Sequence, residues 1–201
     1  MASTVLYMSM SLDGFIAGPN ERPDNGLGDG GMRLHQWSFP GAEDGDFEAA
    51  VARMQGANRQ IYDEMMATGA VVAGRGTFEP AGGWGGDHHG GVPIYILSRH
   101  PAPAWAAEWP LVSYVDDLEA AFRDAKQAAG EKDVLVHGAG IAQRALKAGL
   151  LDELEIHLVP VLFGDGRRLF EDIGMNQREL ERVRVLEGDG GVIHLRYRVA
   201  R

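Results

Sequence analysis

The chain has no cysteine among its 201 residues, which excludes thiol catalysis, cysteine-ligated zinc, iron–sulfur clusters and disulfide staples. It has no apolar run near the roughly 18 residues a membrane span needs, and no basic segment followed by a long apolar one at its start. A soluble protein is expected, with the cytoplasm as its compartment. It is short of positive charge: 19 basic against 29 acidic residues give a formal net charge of -10, which disfavours non-specific attraction to nucleic acid or to an anionic membrane. An anionic small molecule held by a few arginines is compatible with that balance. No internal repeat and no low-complexity tail are present, so one domain spanning residues 1–201 is expected, large enough to fold without metal or disulfide.

Short apolar runs alternate with helical patterns. Thr4 to Met10 reads as a strand entering the Asp13–Gly14 turn, and Phe15, Ile16 and Ala17 resume the apolar run. Gly18 to Gly45 is rich in Gly, Pro, Asn and Asp yet carries His35, Trp37 and Phe39, and reads as a functional flap. Phe47, Ala50, Val51 and Met54 have helical spacing behind Asp46 as N-cap, and Ile61, Met65 and Met66 continue an apolar face beyond a break at Gly56.

Buried strands are expected at Ala70–Ala73, Pro93–Leu97 and Val134–Val136, and further strands at Leu111–Val115 and Glu155–Val161. Helices are expected after the cap Asp117, ending at Gly130, and from Ile141, ending at Gly149. Two alternating runs, Leu180–Leu186 and Val192–Val199, flank Gly188–Gly191 and read as a hairpin. This order describes an α/β fold with a mostly parallel sheet and antiparallel strands at its carboxyl-terminal edge. Ligands in such sheets collect outside the strand carboxyl ends, which here carry Ser11–Gly14, Gly74–Thr77, Ser98–Arg99 and His137–Gly140.

Several of these residues point to an anionic cofactor by chemistry alone. Arg75 at a strand end can hold a phosphate through paired charge-assisted hydrogen bonds, and Thr77 at a helix start can offer its hydroxyl and N–H to the next phosphate. Gly138, Ala139 and Gly140 let a ligand approach the backbone where a helix begins. Trp37 and Trp84 can wall a flat heterocycle, or can pack beneath their loops. Adjacent His88 and His89 beside Asp87 do not make a metal site, because neighbouring side chains seldom converge on one ion.

The run Met10–Ala17, the run Gly74–Glu79, Ser98–Arg99, Gly138–Gly140, and Leu151–Leu154 continuing through Pro160 to Gly164 together resemble the dihydrofolate reductase-like family, in its branch related to the reductase domain of bacterial riboflavin biosynthesis. The resemblance spans nearly the whole chain. It implies a three-layer dihydrofolate reductase-like fold, a homodimer, and NADPH-dependent hydride transfer to a small flat polar compound of pterin, pyrimidine or imine type. A nucleotide-binding or regulatory protein without turnover is the alternative.

Carried onto this sequence, the resemblance implies that Gly74, Arg75, Thr77, Ser98 and Arg99 meet the adenosine side and 2'-phosphate of the cofactor. Gly138, Ala139, Gly140 and Ile141 would take its pyrophosphate and nicotinamide ribose, and Ile16 and Ala17 would pack on its ring. Substrate would lie against Met10, Trp37, Trp84 and Phe163. Asp13 either orients a proton-relaying water or ties its turn, and His137 either donates a proton or is a satisfied neutral ring. A second carboxylate is sought among Asp44, Asp46 and Glu48, each of which also suits a helix start. Arg167 and Arg168 serve an anionic substrate, a solvated turn or a subunit contact. Two departures set this chain apart from the riboflavin enzymes: Tyr7 stands where they carry lysine, and Glu79–Gly82 where they carry an Asp-Asn-Pro type loop.

Overall fold

The computed structural model describes residues 2–41, 46–174 and 177–200. Asp44, one of the three candidate carboxylates, lies outside them.

Eight strands form one twisted sheet in the order β5-β4-β3-β6-β1-β7-β10-β9, where β1 is Thr4–Ser11, β3 Ala70–Gly74, β4 Ile94–Leu97, β5 Val112–Val115, β6 Val134–His137, β7 Glu153–Val159, β9 Leu180–Glu187 and β10 Ile193–Val199. The first six in that order are parallel, and β10 and β9 add antiparallel to the edge. The mostly parallel α/β sheet with antiparallel edge strands is therefore the observed architecture. A separate ribbon pairs β2 (Phe15–Ala17) with β8 (Arg167–Arg168) beside the end of β1.

Helices cover both faces. On one, α4 (Leu118–Ala129) and α5 (Ala139–Ala148) bury Phe122, Ala125, Ile141 and Ala145 against Leu6, Met8, Val134, Val136, Leu154 and Ile156. Apolar spacing of three and four on the helices meets apolar spacing of two on the strands, so both elements bury one side only. On the other face lie α1 (Phe47–Arg53), α2 (Gly56–Met66), the flap, and the single turn α3 (Arg75–Phe78).

Asp46 caps α1 by accepting from the Ala49 N–H at 3.0 Å, and Asp117 caps α4 by accepting from Ala120 at 2.6 Å. The helical pattern after Phe47 does break at Gly56, which opens α2 at φ 56°. The strand expected over Glu155–Val161 instead runs Glu153–Val159, because Pro160 has no N–H to give the ladder.

Candidate active site

The flap folds over the carboxyl ends of β1, β6 and β7 and forms one wall of an open cavity of about 1060 Å³. Strand alternation selects its floor. Leu6 and Met8 enter the core beneath α4 and α5, so Tyr7 and Ser9 turn the other way, as do His137 at the end of β6 and His157 on β7. The flap contributes His35 and Trp37, the loop after α3 contributes Trp84 and His88, and α2 contributes Tyr62 and Met65.

The walls are aromatic and held by hydrogen bonds. Trp37 Nε1 donates to Ser9 Oγ at 2.9 Å, and its ring lies 4.4 Å from that of His157 and 4.9 Å from that of His194. Trp84 sits at φ 50°, a left-handed backbone forced within a glycine-rich turn, with its ring edge-on to Phe78 at 5.3 Å and to His88 at 4.6 Å. Behind His157, its Nδ1 lies 3.0 Å from His194 Nδ1, and His194 Nε2 lies 3.1 Å from Asn58 Oδ1.

Desolvation governs the ionisation of this lining. Burial pulls His35 down to about 4, His137 to about 4 and His88 to about 3, and holds His157 well below the ordinary histidine value. These rings are neutral near pH 7. Burial also pushes the Tyr7 phenol up to about 12, so it keeps its proton. His137 Nδ1 is buried without a hydrogen-bond partner. At the cavity mouth Arg167 of β8 bridges to Glu21 of the flap at 2.6 Å, pinning the flap to the ribbon.

Beside the cavity, two chain reversals meet. Gly76 and Thr77 of α3 line it, and Thr77 faces Gly138, the residue before α5. Gly138 is at φ 107°, and a Cβ there would run into Thr77 Oγ1, so only glycine lets the two turns close. The amino terminus of α5 has no side-chain cap, its first internal hydrogen bond running from the Ala142 N–H to the Gly138 carbonyl. The N–H groups of Ala139, Gly140 and Ile141 precede that bond and have no acceptor within the helix. Nothing stands within 4 Å of where a Cβ of Gly140 or Gly74 would project. Such a backbone suits an anion: free donors, the positive end of a ten-residue helix and no side chain in the way.

Arg75 is committed elsewhere in part. Its Nε and Nη2 donate to the two carboxylate oxygens of Glu79 at 2.7 and 3.0 Å, and Tyr114 holds Glu79 from the far side at 3.1 Å. A pair this exposed is screened by solvent and weakly held, so an incoming phosphate can rearrange it. Arg99 is exposed on the adjacent strand end, without an ion-pair partner among the described residues. Ser98 is engaged in its own turn, its hydroxyl donating to the His100 carbonyl at 2.7 Å and accepting from the His100 N–H at 2.9 Å.

Of the residues expected to face substrate, Trp37 and Trp84 line the cavity, as do Ile16 and Ala17 expected at the nicotinamide. Met10 does not, its side chain packing on the core beneath α4 and α5. Phe163 packs instead on the cluster of Leu34, Trp37 and Val159. The side chains of Ala139 and Ile141 are buried in the core, leaving only their backbone for a ligand.

Asp13 ties its turn. Its carboxylate accepts from Ser11 Oγ at 2.6 Å, from Phe163 N–H at 3.1 Å and from Gly164 N–H at 2.7 Å, and the Ser11 hydroxyl and these N–H groups lower it to about 2. Among the described residues no group of three His, Asp or Glu is arranged to hold a metal, and no helix is long and apolar enough to cross a membrane.

Tyr7, Ser9, His35 and His157 escaped the sequence reading as lining residues. The signal for Tyr7 and Ser9 was present, since in a strand whose even positions are core the odd ones must face the flap. His35 and His157 gave no such signal, because a flap residue and a buried strand histidine look alike in one dimension.

Comparison with curated proteins finds no match. Solved structures of similar fold include a riboflavin biosynthesis protein from Shewanella sp. PV-4, 20% identical with 99% of each chain covered and a TM-score of 0.71. A pyrimidine reductase-like protein from Corynebacterium diphtheriae is 15% identical, with 100% of this chain and 92% of that one covered and a TM-score of 0.68. Dihydrofolate reductase from Enterococcus faecalis, solved with NADP(H), is 16% identical, with 99% and 97% covered and a TM-score of 0.57. The likeness confirms a dihydrofolate reductase-like fold. The RibD C-terminal domain model matches residues 3–194, nearly the whole chain, and the protein belongs to that reductase-like family.

Proposed function

We propose that the protein is an NADPH-dependent reductase that transfers a hydride to a small, flat, polar heterocycle held in the aromatic cavity. The observation that carries this reading is the seam between Thr77 and Gly138, where an uncapped glycine-flanked helix start adjoins a cleft lined by neutral aromatic rings. In this reading the backbone of Gly138, Ala139, Gly140 and Ile141 takes the pyrophosphate, with Thr77 beside it. Gly74, Arg75, Ser98 and Arg99 take the adenosine side, and Arg75 exchanges Glu79 for the 2'-phosphate. Ile16 and Ala17, both buried, exclude water from the nicotinamide. The cofactor supplies the hydride when bound.

The chain's own residues orient the acceptor. Tyr7 lines the cavity and keeps its proton at neutral pH, so its phenol is the proposed proton donor, a weak acid because burial holds its pKa up. His137 offers its unpartnered Nδ1 to a polar group of substrate. Asp13 acts by tying the Ser11–Gly14 turn to Phe163 and Gly164.

Mixing the protein and NADPH with a panel of pterins, pyrimidines and cyclic imines, and following loss of nicotinamide absorbance, tests the proposal. Oxidation with one class is the expected result. Tight NADPH binding with no oxidation by any candidate would instead support a binding or regulatory protein without turnover. A homodimer accompanies the reading, because the β9–β10 hairpin leaves Val183, Val185 and Ile193 exposed on an edge that water covers poorly. Light scattering that finds a concentration-independent monomer would refute it.

A further inference from the structure

Two pairs of histidines lie back to back at the cavity, and their hydrogen bonds fix which nitrogen of the inner ring carries a proton. Behind His157, the amide of Asn58 has a single orientation: Nδ2 donates to the Trp37 carbonyl at 3.1 Å and to the Asp189 carbonyl at 3.4 Å. Its Oδ1 therefore faces His194 Nε2, 3.1 Å away, and can only accept. His194 carries its proton on Nε2, which leaves Nδ1 as acceptor. His157 Nδ1, 3.0 Å from it, must be the donor. A neutral His157 is then left with a lone pair on Nε2, for which the described residues offer no partner.

Behind His88 the same logic runs through different atoms. His89 Nε2 lies 3.1 Å from the Thr68 carbonyl, an obligate acceptor. It also lies 3.1 Å from Thr68 Oγ1, whose own proton goes to the Met65 carbonyl at 2.8 Å. His89 Nε2 is thus a donor, and in the neutral form of His89 its Nδ1 is an acceptor, so that His88 Nδ1, 2.7 Å from that nitrogen, is the donor of the pair. His88 Nε2 is again left with a lone pair and no protein partner among the described residues. Both inner rings line the cavity, His157 from its floor and His88 from the loop after α3. Burial keeps His157, His194 and His88 neutral, so neither inner ring escapes the arrangement by taking a second proton near pH 7.

We infer that the cavity selects planar heterocycles bearing N–H donors on two edges, amino groups or ring N–H, each read by the Nε2 lone pair of an inner histidine, His157 or His88. His194 and His89 are positioning residues that set the tautomers. A ring presenting only acceptors or methyl groups at those edges leaves two desolvated lone pairs unmet and is rejected. The inference deepens the reductase reading by naming the substrate class, and it rests on that reading in taking this cavity as the substrate site.

Long-range proton–nitrogen correlation spectra of the protein with nitrogen-labelled histidine report each tautomer directly, with no ligand present. His157 and His88 are expected to carry their protons on Nδ1, and an Nε2 proton on either overturns the inference. Binding of diaminotriazine and dimethyltriazine, which have the same shape and differ in N–H donors, is then compared by chemical-shift titration. The diamino ring is expected to bind about tenfold tighter or more. Equal binding overturns the inference.

In His89→Phe and His194→Phe the inner ring is free to change tautomer, and the ratio is expected to shrink toward one, whereas an unchanged ratio overturns the positioning role. The spectra of the unmodified chain keep the test decisive if His194→Phe does not fold. All of these readouts are taken without NADPH, so absence of turnover counts against the reductase reading, and reversed tautomers count against this inference alone.

Discussion

The two faces of the central sheet are built from the same strands and do opposite things. Toward α4 and α5, β1 sends Leu6 and Met8, β6 Val134 and Val136, and β7 Leu154 and Ile156, all buried and all apolar. Toward the flap the intervening positions begin apolar, with Val5 and Leu135 in a second buried cluster, and turn polar toward the strand carboxyl ends at Tyr7, Ser9, His137, Glu155 and His157. Apolar burial is non-directional, so the first face needs only volume and pattern. Each polar group on the second face carries a desolvation cost that a specific partner must offset, as Arg184 does for Glu155 at 3.0 Å, Trp37 for Ser9 and His194 for His157. The offset is incomplete at His137 Nδ1, and within the ion pair at Glu155 Oε1 and Arg184 Nε, all buried without a hydrogen-bond partner. The Nε2 atoms of His157 and His88 have no protein partner among the described residues and are left for a ligand. One face is apolar throughout, and the other is apolar at Val5, Val71 and Leu135 but gives up stability for recognition at the strand carboxyl ends.

The sharpest way to break this comparison is to cut each face once. Phe122→Ala on the α4 side is expected to destabilise the fold by about 3–5 kcal/mol, read by urea unfolding, while leaving NADPH oxidation in the surviving folded fraction unchanged. A smaller loss would mean that this face is not the main core.

Acid should then attack the flap face selectively. Unfolded histidines titrate near 6.5, whereas folded His35, His137 and His194 wait until about 4 and His88 until about 3. Between those values the unfolded chain binds protons that the folded chain refuses, so stability present above pH 6.5 is lost as pH falls toward 4. Glu155, raised by burial, works in the opposite direction but is a single group. Thermal melts taken from neutral pH downward should show falling midpoints across that window. A flat profile would show that these rings are not held neutral.

Arg75→Ala is expected to weaken NADPH binding by about 1–3 kcal/mol and NADH binding far less, measured by fluorescence titration. Equal losses would leave Arg75 as no more than the partner of Glu79. The smallest effect on stability is expected from Tyr7→Phe: within about 1 kcal/mol, because the ring that packs with Val5, Val71 and Phe78 is kept and only a hydroxyl is lost. Turnover should fall on the order of a hundredfold at unchanged NADPH affinity. Full activity would remove Tyr7 as the proton source.

Alternating apolar pattern, the caps Asp46 and Asp117, the glycine stops and the order of short strands determined the elements and the α/β class, because these depend on neighbours within a few residues. The placement of Thr77 beside the helix start at Gly138 followed from strand ends in a parallel sheet. The rest was settled in three dimensions. Met10 and Tyr7 differ by one face of a strand, which decides core against cavity. Phe163 and Gly164 meet the Asp13 carboxylate only once the fold brings their N–H groups to it. The histidine pairs join residues 37 apart in one case and neighbours in the other, and their tautomers depend on Asn58 and Thr68, which no local pattern connects to them. A hydrogen-bond chain is a property of atoms brought within about 3 Å by packing, and only the folded chain brings them there.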